Sequence, residues 1–141
     1  MTAMRTETCH ATAVAVGHRA VLLTGASGSG KSGLALDMMA RGAALVADDQ
    51  VILTRDDDAI TLTCPPTLRG MIEARGVGIL HAEPCAEAQL ALVVDMDQTE
   101  TDRMPPARMI DMLGVSIKLL HNVASQHFPA AIIQYLKTAD R

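Results

Sequence analysis

The stretch that decides how this chain is read is Ala20-Val21-Leu22-Leu23-Thr24-Gly25-Ala26-Ser27-Gly28-Ser29-Gly30-Lys31-Ser32. A short apolar run, fit for a buried strand, leads into a glycine-rich turn; Leu34, Ala35, Met38 and Met39 then recur at helical spacing. Strand, G-x-x-x-x-G-K-S and helix in that order predict a phosphate-binding P-loop spanning Gly25, Ala26, Ser27, Gly28, Ser29, Gly30, Lys31 and Ser32. The glycines let successive backbone N–H groups point at one anion, and the helix adds its positive dipole end. Lys31 can reach the terminal phosphates and Ser32 can hold a Mg²⁺. At ordinary residue usage the four fixed positions coincide by accident in roughly one such chain in two hundred. The motif therefore predicts a nucleoside triphosphate or diphosphate as ligand.

Bulk properties narrow the class. The 141 residues suit one domain, 1–141, with residues 1–7 expected to fray. Hydrophobic residues make up 49% and charged residues 20%, as in a globular protein. Phe128 and Tyr135 are the only aromatic residues, so the core must be built from aliphatic side chains and nine Met. Without aromatic platforms for base stacking, and with a net charge of −4, the chain is expected not to bind nucleic acid. Cys9, Cys64 and Cys85 lack metal-ligand spacing and read as free thiols of a reducing compartment. No apolar run approaches the ~20 residues of a membrane span, and no signal pattern opens the chain. A cytoplasmic location without membrane association is expected.

Along the chain, Thr8 to Val16 reads as a strand, Lys31 to Arg41 as a helix and Ala44-Leu45-Val46-Ala47 as a short strand ending on Asp48-Asp49. Val51–Thr54 and Ile60–Thr63 flank Arg55 to Ala59 as a hairpin, whose Asp56, Asp57 and Asp58 read as solvated tip charges. Leu68 to Leu80 is a glycine-punctuated extended segment, Leu90 to Val94 a strand and 97–107 an exposed loop. Ile110–Met112 and Ser116–Leu120 read as short strands around Gly114, and His127 to Thr138 as a closing helix. Strands joined by short turns outnumber helices, which is poor material for a doubly wound parallel sheet. An α/β fold with a mixed, largely antiparallel sheet is expected.

Phosphoryl transfer is mostly positioning plus charge neutralisation. Asp48-Asp49 falls at a strand end after the P-loop helix, where a Walker-B-type carboxylate would lie, with one carboxylate facing the nucleotide and its neighbour pointing elsewhere. Glu73 and Arg75, two apart on an extended segment, would share a face and could serve a Mg²⁺–phosphate site or form a surface ion pair. His10 alone reads as a strand-end histidine, and Arg103 as a solvated charge in its loop.

Together, His10-Ala11-Thr12, the P-loop, Leu45-Val46-Ala47-Asp48-Asp49, Ile72-Glu73-Ala74-Arg75-Gly76-Val77-Gly78-Ile79 and Asp102-Arg103-Met104-Pro105 resemble the catalytic domain of HPr kinase/phosphorylase. That bacterial enzyme phosphorylates a serine of the phosphocarrier protein HPr. The resemblance covers roughly residues 8–120 and implies ATP and Mg²⁺ as cofactors, HPr as substrate and reverse phosphorylase activity on phosphoseryl-HPr. It implies Asp48 as catalytic base, Asp49 as its support or a metal partner, Glu73 as a Mg²⁺ partner beside Ser32, and Arg75 and His10 as groups acting on phosphate charge. Arg103 would belong to a mobile loop completing the site, across a subunit boundary in an oligomer. The family fold is a P-loop domain related to phosphoenolpyruvate carboxykinase and usually assembled as a hexamer. Here no separate N-terminal domain precedes the match, so a short single-domain form is expected; Ala26 and Gly33 depart from the family's usual residues without removing a phosphate ligand. A small-molecule P-loop kinase and a catalytically silent nucleotide sensor are the competing readings.

Overall fold

A computed structural model describes residues 5–138. Its centre is the P-loop strand. β3 (Arg19–Thr24) lies between β2 (Thr12–Val16), antiparallel to it, and β9 (Ala88–Thr99), parallel to it. β3 is buried on both faces: Ala20 and Leu22 enter one core cluster, Val21 and Leu23 the other. Aliphatic residues alternating on a strand sandwiched this way account for its unbroken apolar run.

From β2 the sheet continues to β4 (Ala44–Ala47), while beyond β9 it runs through β6 (Ala59–Thr63) and β5 (Val51–Asp56) to the edge strand β1 (Arg5–Cys9). β9 also carries β11 (Val115–Asn122) in parallel, with β10 (Met109–Met112) antiparallel outside it. A two-stranded antiparallel unit, β7 (Met71–Ala74) and β8 (Gly78–His81), stands apart. Among the described residues the nine-stranded sheet has only two parallel pairings, β3·β9 and β9·β11, so it is mixed and largely antiparallel, as expected.

Both helices, α1 (Lys31–Ala40) and α2 (Phe128–Thr138), pack on one sheet face through Ala35, Met38, Phe128, Ile132 and Leu136. The hairpin β5–β6 and the end of β11 bury Val51, Leu53, Ile60, Leu62 and Ile117 in the other cluster. Phe128 thus serves the core, and small residues such as Ala11, Ala13, Ala15 and Ala20 let the strands and their neighbours approach closely.

Three sequence expectations are corrected. Residues 5–7, expected to fray, belong to β1, which pairs with β5 from Arg5↔Arg55 to Cys9↔Val51; residues 1–4 lie outside the described residues. The strand expected over Thr8 to Val16 breaks at His10, because the chain changes partners there: β1 pairs with β5, β2 with β3 and β4. The loop expected from residue 97 starts later. β9 runs to Thr99, held by its pairing with β11 up to Thr99↔Asn122 and by the Glu100 N–H donating to Asn122 O at 2.8 Å. Polar residues at a sheet's end carry no apolar alternation, so pairing there is invisible to pattern.

Candidate active site

The turn from β3 into α1 needs glycine where side chains crowd the backbone. Gly25 has φ 139°, and a Cβ there would stand 2.8 Å from Ser29 Oγ and 3.1 Å from Met96 Cβ. Lys31, only 8% exposed, folds back over the loop and donates through Nζ to Gly25 O at 2.6 Å and Ala26 O at 2.9 Å. A buried ammonium held only by carbonyl dipoles in this loop is an electrostatic match for phosphate.

A cleft of about 640 Å³ opens above this loop. Ser27, Gly28, Gly30, Lys31 and Ser32 form its P-loop side, while His10, Asp48, Asp49, Glu73 and Arg75 line the rest. Asp48 and Asp49 both line the cleft. Their surroundings differ sharply. Asp48 is 8% exposed and accepts from three donors: Thr12 Oγ1 (2.8 Å) and Ser32 Oγ (2.9 Å) on Oδ1, and the Glu73 N–H (3.0 Å) on Oδ2. Three of its roughly four lone-pair sites are thus occupied. Asp49 sits in the left-handed region at φ 75°, where Asp is tolerated better than most residues. Its side chain is 62% exposed, with Oδ1 3.2 Å from His10 Nδ1.

The break at His10 now has a consequence. Where the chain turns from β5's partner to β4's, His10 meets the residues linking β4 and β5, and the Ala11 N–H donates to Asp49 O at 3.3 Å. Two residues on, Thr12 is 1% exposed and reaches Asp48.

Glu73 and Arg75 do not share a strand, because β7 ends at Ala74 and Arg75 stands in the turn to β8. They meet at the cleft all the same. Arg75 lies over the P-loop: a Cβ on Gly28 (φ 88°) would be 3.4 Å from Arg75 Nη2. Val77 and Ile79 add an exposed apolar wall. Arg103 is exposed and is not among the residues lining the cleft.

Ser32, Asp48 and Glu73 are oxygen donors, the set a hard cation such as Mg²⁺ prefers. By donating its proton to Asp48, the Ser32 hydroxyl keeps its lone pairs for a cation. Among the described residues no group of three or more His, Cys, Asp or Glu is arranged to hold a metal ion.

Along residues 2–123 the sequence matches the model of the HPr Serine kinase C-terminal domain. The chain belongs to this family. It is 35% identical over 127 residues to the HPr kinase/phosphorylase of Burkholderia cenocepacia (strain HI2424), covering 81% of this chain and 39% of that protein. The HPr kinase/phosphorylase of Paraburkholderia phymatum is similar at the same identity and coverage. The chain thus spans 39% of the length of these curated relatives. A solved structure described as the Hpr(Ser) kinase/phosphatase from Coxiella burnetii superposes with a TM-score of 0.78. It covers 95% of this chain and 96% of that one at 23% identity, which supports the shared HPr kinase fold.

Sequence reasoning missed two residues that brace the site. Thr12, part of the His-Ala-Thr element, supports Asp48. Asp97, assigned to an exposed loop, accepts the Ala26 N–H on both carboxylate oxygens at 3.1 Å. A signal existed: Leu90 to Val94 is an apolar run ending on Asp95, and in the fold it lies in parallel register beside the P-loop strand, with Asp95 opposite Thr24. Burial pushes the Cys9 and Cys64 thiols up, and all three cysteines are free. No helix among the described residues is long and apolar enough to cross a membrane.

Proposed function

We propose that this chain is an ATP-dependent protein-serine kinase acting on the phosphocarrier protein HPr, with the reverse phosphorylase reaction on phosphoseryl-HPr. The observation that carries the reading is the convergence, around one cleft, of Lys31 and Ser32 with Asp48, the Asp49–His10 pair, Glu73 and Arg75. Asp49 lines the cleft with a side chain 62% exposed, which supports access for a serine presented by another protein. In the forward step the seryl oxygen attacks the γ-phosphorus in line, its proton passes to a carboxylate, and the β–γ bridging oxygen leaves with ADP.

Geometry favours Asp49 as that carboxylate and Asp48 as the group that orients Ser32, exchanging the roles expected from the resemblance. Three of Asp48's roughly four acceptor sites are taken by Thr12, Ser32 and the Glu73 N–H, whereas the Asp49 side chain is largely exposed and paired with His10. Ser32 and Glu73 would hold Mg²⁺, which supplies charge neutralisation on the β- and γ-phosphates. Lys31 and the P-loop amides would bind those phosphates, and Arg75 would offset charge on the transferring group.

Arg103 would act on a neighbouring subunit's cleft in a homo-oligomer. That reading follows the family resemblance of Asp102-Arg103-Met104-Pro105; Arg103 does not line this chain's own cleft. Three free thiols support a reducing, cytoplasmic setting, and the single domain 1–141 is proposed as the catalytic unit.

Labelled ATP with Mg²⁺ and HPr, against HPr lacking its acceptor serine, tests the reading. Label on the first HPr alone is expected. Label on neither, with nucleotide still bound, would overturn the kinase assignment.

A further inference from the structure

The end of β9 grips the P-loop from outside the cleft. Met96 lies against both ends of the loop: its Cβ is 3.1 Å from where a Gly25 Cβ would be, and its Cε 3.6 Å from where a Gly30 Cβ would be. Beside it, Asp97 takes the Ala26 N–H on both carboxylate oxygens, each at 3.1 Å. Asp97 is itself held, since its own N–H donates to Asp95 Oδ1 at 2.9 Å.

The Ala26 residue is where the loop's internal bonds meet. Its carbonyl accepts from the Ser29 N–H at 3.0 Å and from Lys31 Nζ at 2.9 Å, while its N–H goes to Asp97. Apart from Lys31, the loop's side chains do little to fix this shape. Ser29 Oγ is buried without a hydrogen-bond partner, and Ser27 is exposed. The carboxylate binds an amide at the start of the loop and is not among the residues lining the cleft, so it would not take the place of a phosphate.

We propose that Asp97 is a positioning residue for the phosphate cradle: by holding the Ala26 N–H it fixes the peptide whose carbonyl carries Lys31. It acts through the loop, not on the nucleotide. This rests on the nucleotide-binding reading above, and the test separates the two.

Titrate ADP with Mg²⁺ into the parent, D97A and D97N by calorimetry, and follow unfolding of each without nucleotide. Loss of a charge-assisted hydrogen bond predicts about ten- to a hundredfold weaker ADP binding in D97A. D97N keeps a neutral oxygen acceptor for Ala26 and is expected to lose clearly less affinity than D97A. The unfolding midpoint without nucleotide should fall only modestly, because the bond is at an exposed site, and the variants should remain folded at the titration temperature. In turnover, KM for ATP rises with the loss of affinity, while kcat and the KM for the protein acceptor stay within about threefold. Should D97A fail to fold, D97S, polar but too short to reach Ala26, must show the same loss.

A parent that binds ADP beside a D97A or D97S that binds it equally well overturns this assignment alone. So does a D97N as weak as D97A, which would make charge rather than the bond the cause. A parent that binds no ADP overturns the nucleotide reading and this assignment with it.

Discussion

Asp49→Asn is the sharpest probe of the proposed chemistry, because the backbone there tolerates it. The residue sits at φ 75°, a region Asn adopts as readily as Asp, and its side chain is 62% exposed. The substitution should therefore leave the unfolding midpoint and ADP affinity unchanged while removing the proton acceptor. General-base assistance is worth about 10²–10⁴ in rate, or about 3–5 kcal/mol of barrier. Asp48→Asn should behave differently. Its amide oxygen can still accept from Thr12 and Ser32, but its NH₂ would face the Glu73 N–H, donor against donor. Leaving that amide unpaired costs about 1–3 kcal/mol, and releasing Glu73 should weaken Mg²⁺-dependent nucleotide binding. Single-turnover transfer of label from ATP to HPr, run alongside ADP titration for both variants, separates the two roles. An Asp49→Asn that transfers within about threefold of the parent, beside an Asp48→Asn that loses transfer but keeps ADP affinity, would refute the assignment and return the base to Asp48.

Thr12→Val keeps shape but removes a donor to the buried Asp48; it should lower stability by about 1.5–3 kcal/mol, read as a drop in the denaturant midpoint. Gly28→Ala forces alanine to φ 88° and crowds Arg75 at 3.4 Å, so ADP affinity should fall at least about tenfold in calorimetry. Partial desolvation pushes the Glu100 carboxyl up, but the Asp102 amide, the Arg108 guanidinium and the Thr101 amide outweigh it and leave it below its usual 4.5. A depressed carboxyl stabilises the fold above pH 4.5, and that contribution is lost as pH falls through its lowered value. Urea midpoints at pH 7 and pH 3 should accordingly differ less in Glu100→Gln than in the parent.

Where local chemistry dictates structure, the sequence was a sufficient guide. The P-loop, its flanking strand and helix, and the β5–β6 hairpin all follow from apolar spacing and glycine placement within a dozen residues. The edge strand at Arg5–Cys9 and the polar end of β9 were hidden, because their pairing is decided by partners far along the chain. Arg75 reached the cleft by a turn, not by the strand alternation that first suggested it. The roles of Asp48 and Asp49 could not be told apart in sequence, where they are two identical neighbours. A left-handed backbone at one, and donors from β2, α1 and β7 around the other, make the difference.

Asp48 ties together segments that share no sheet pairing. Thr12 brings β2, Ser32 the start of α1, and the Glu73 N–H the β7–β8 unit, whose strands pair only with each other. One carboxylate thus sets where the metal-side hydroxyl, Glu73 and the turn bearing Arg75 stand relative to the P-loop. Asp97 does the same for the loop's entry from the opposite side, through β9. On this view the cradle is a short glycine turn held between two acids, each on a strand end it does not share. Precision then comes from hydrogen-bond acceptors outside the phosphate path, added to the packing of Met96, which explains how a loop built from Gly, Ala and Ser holds one shape.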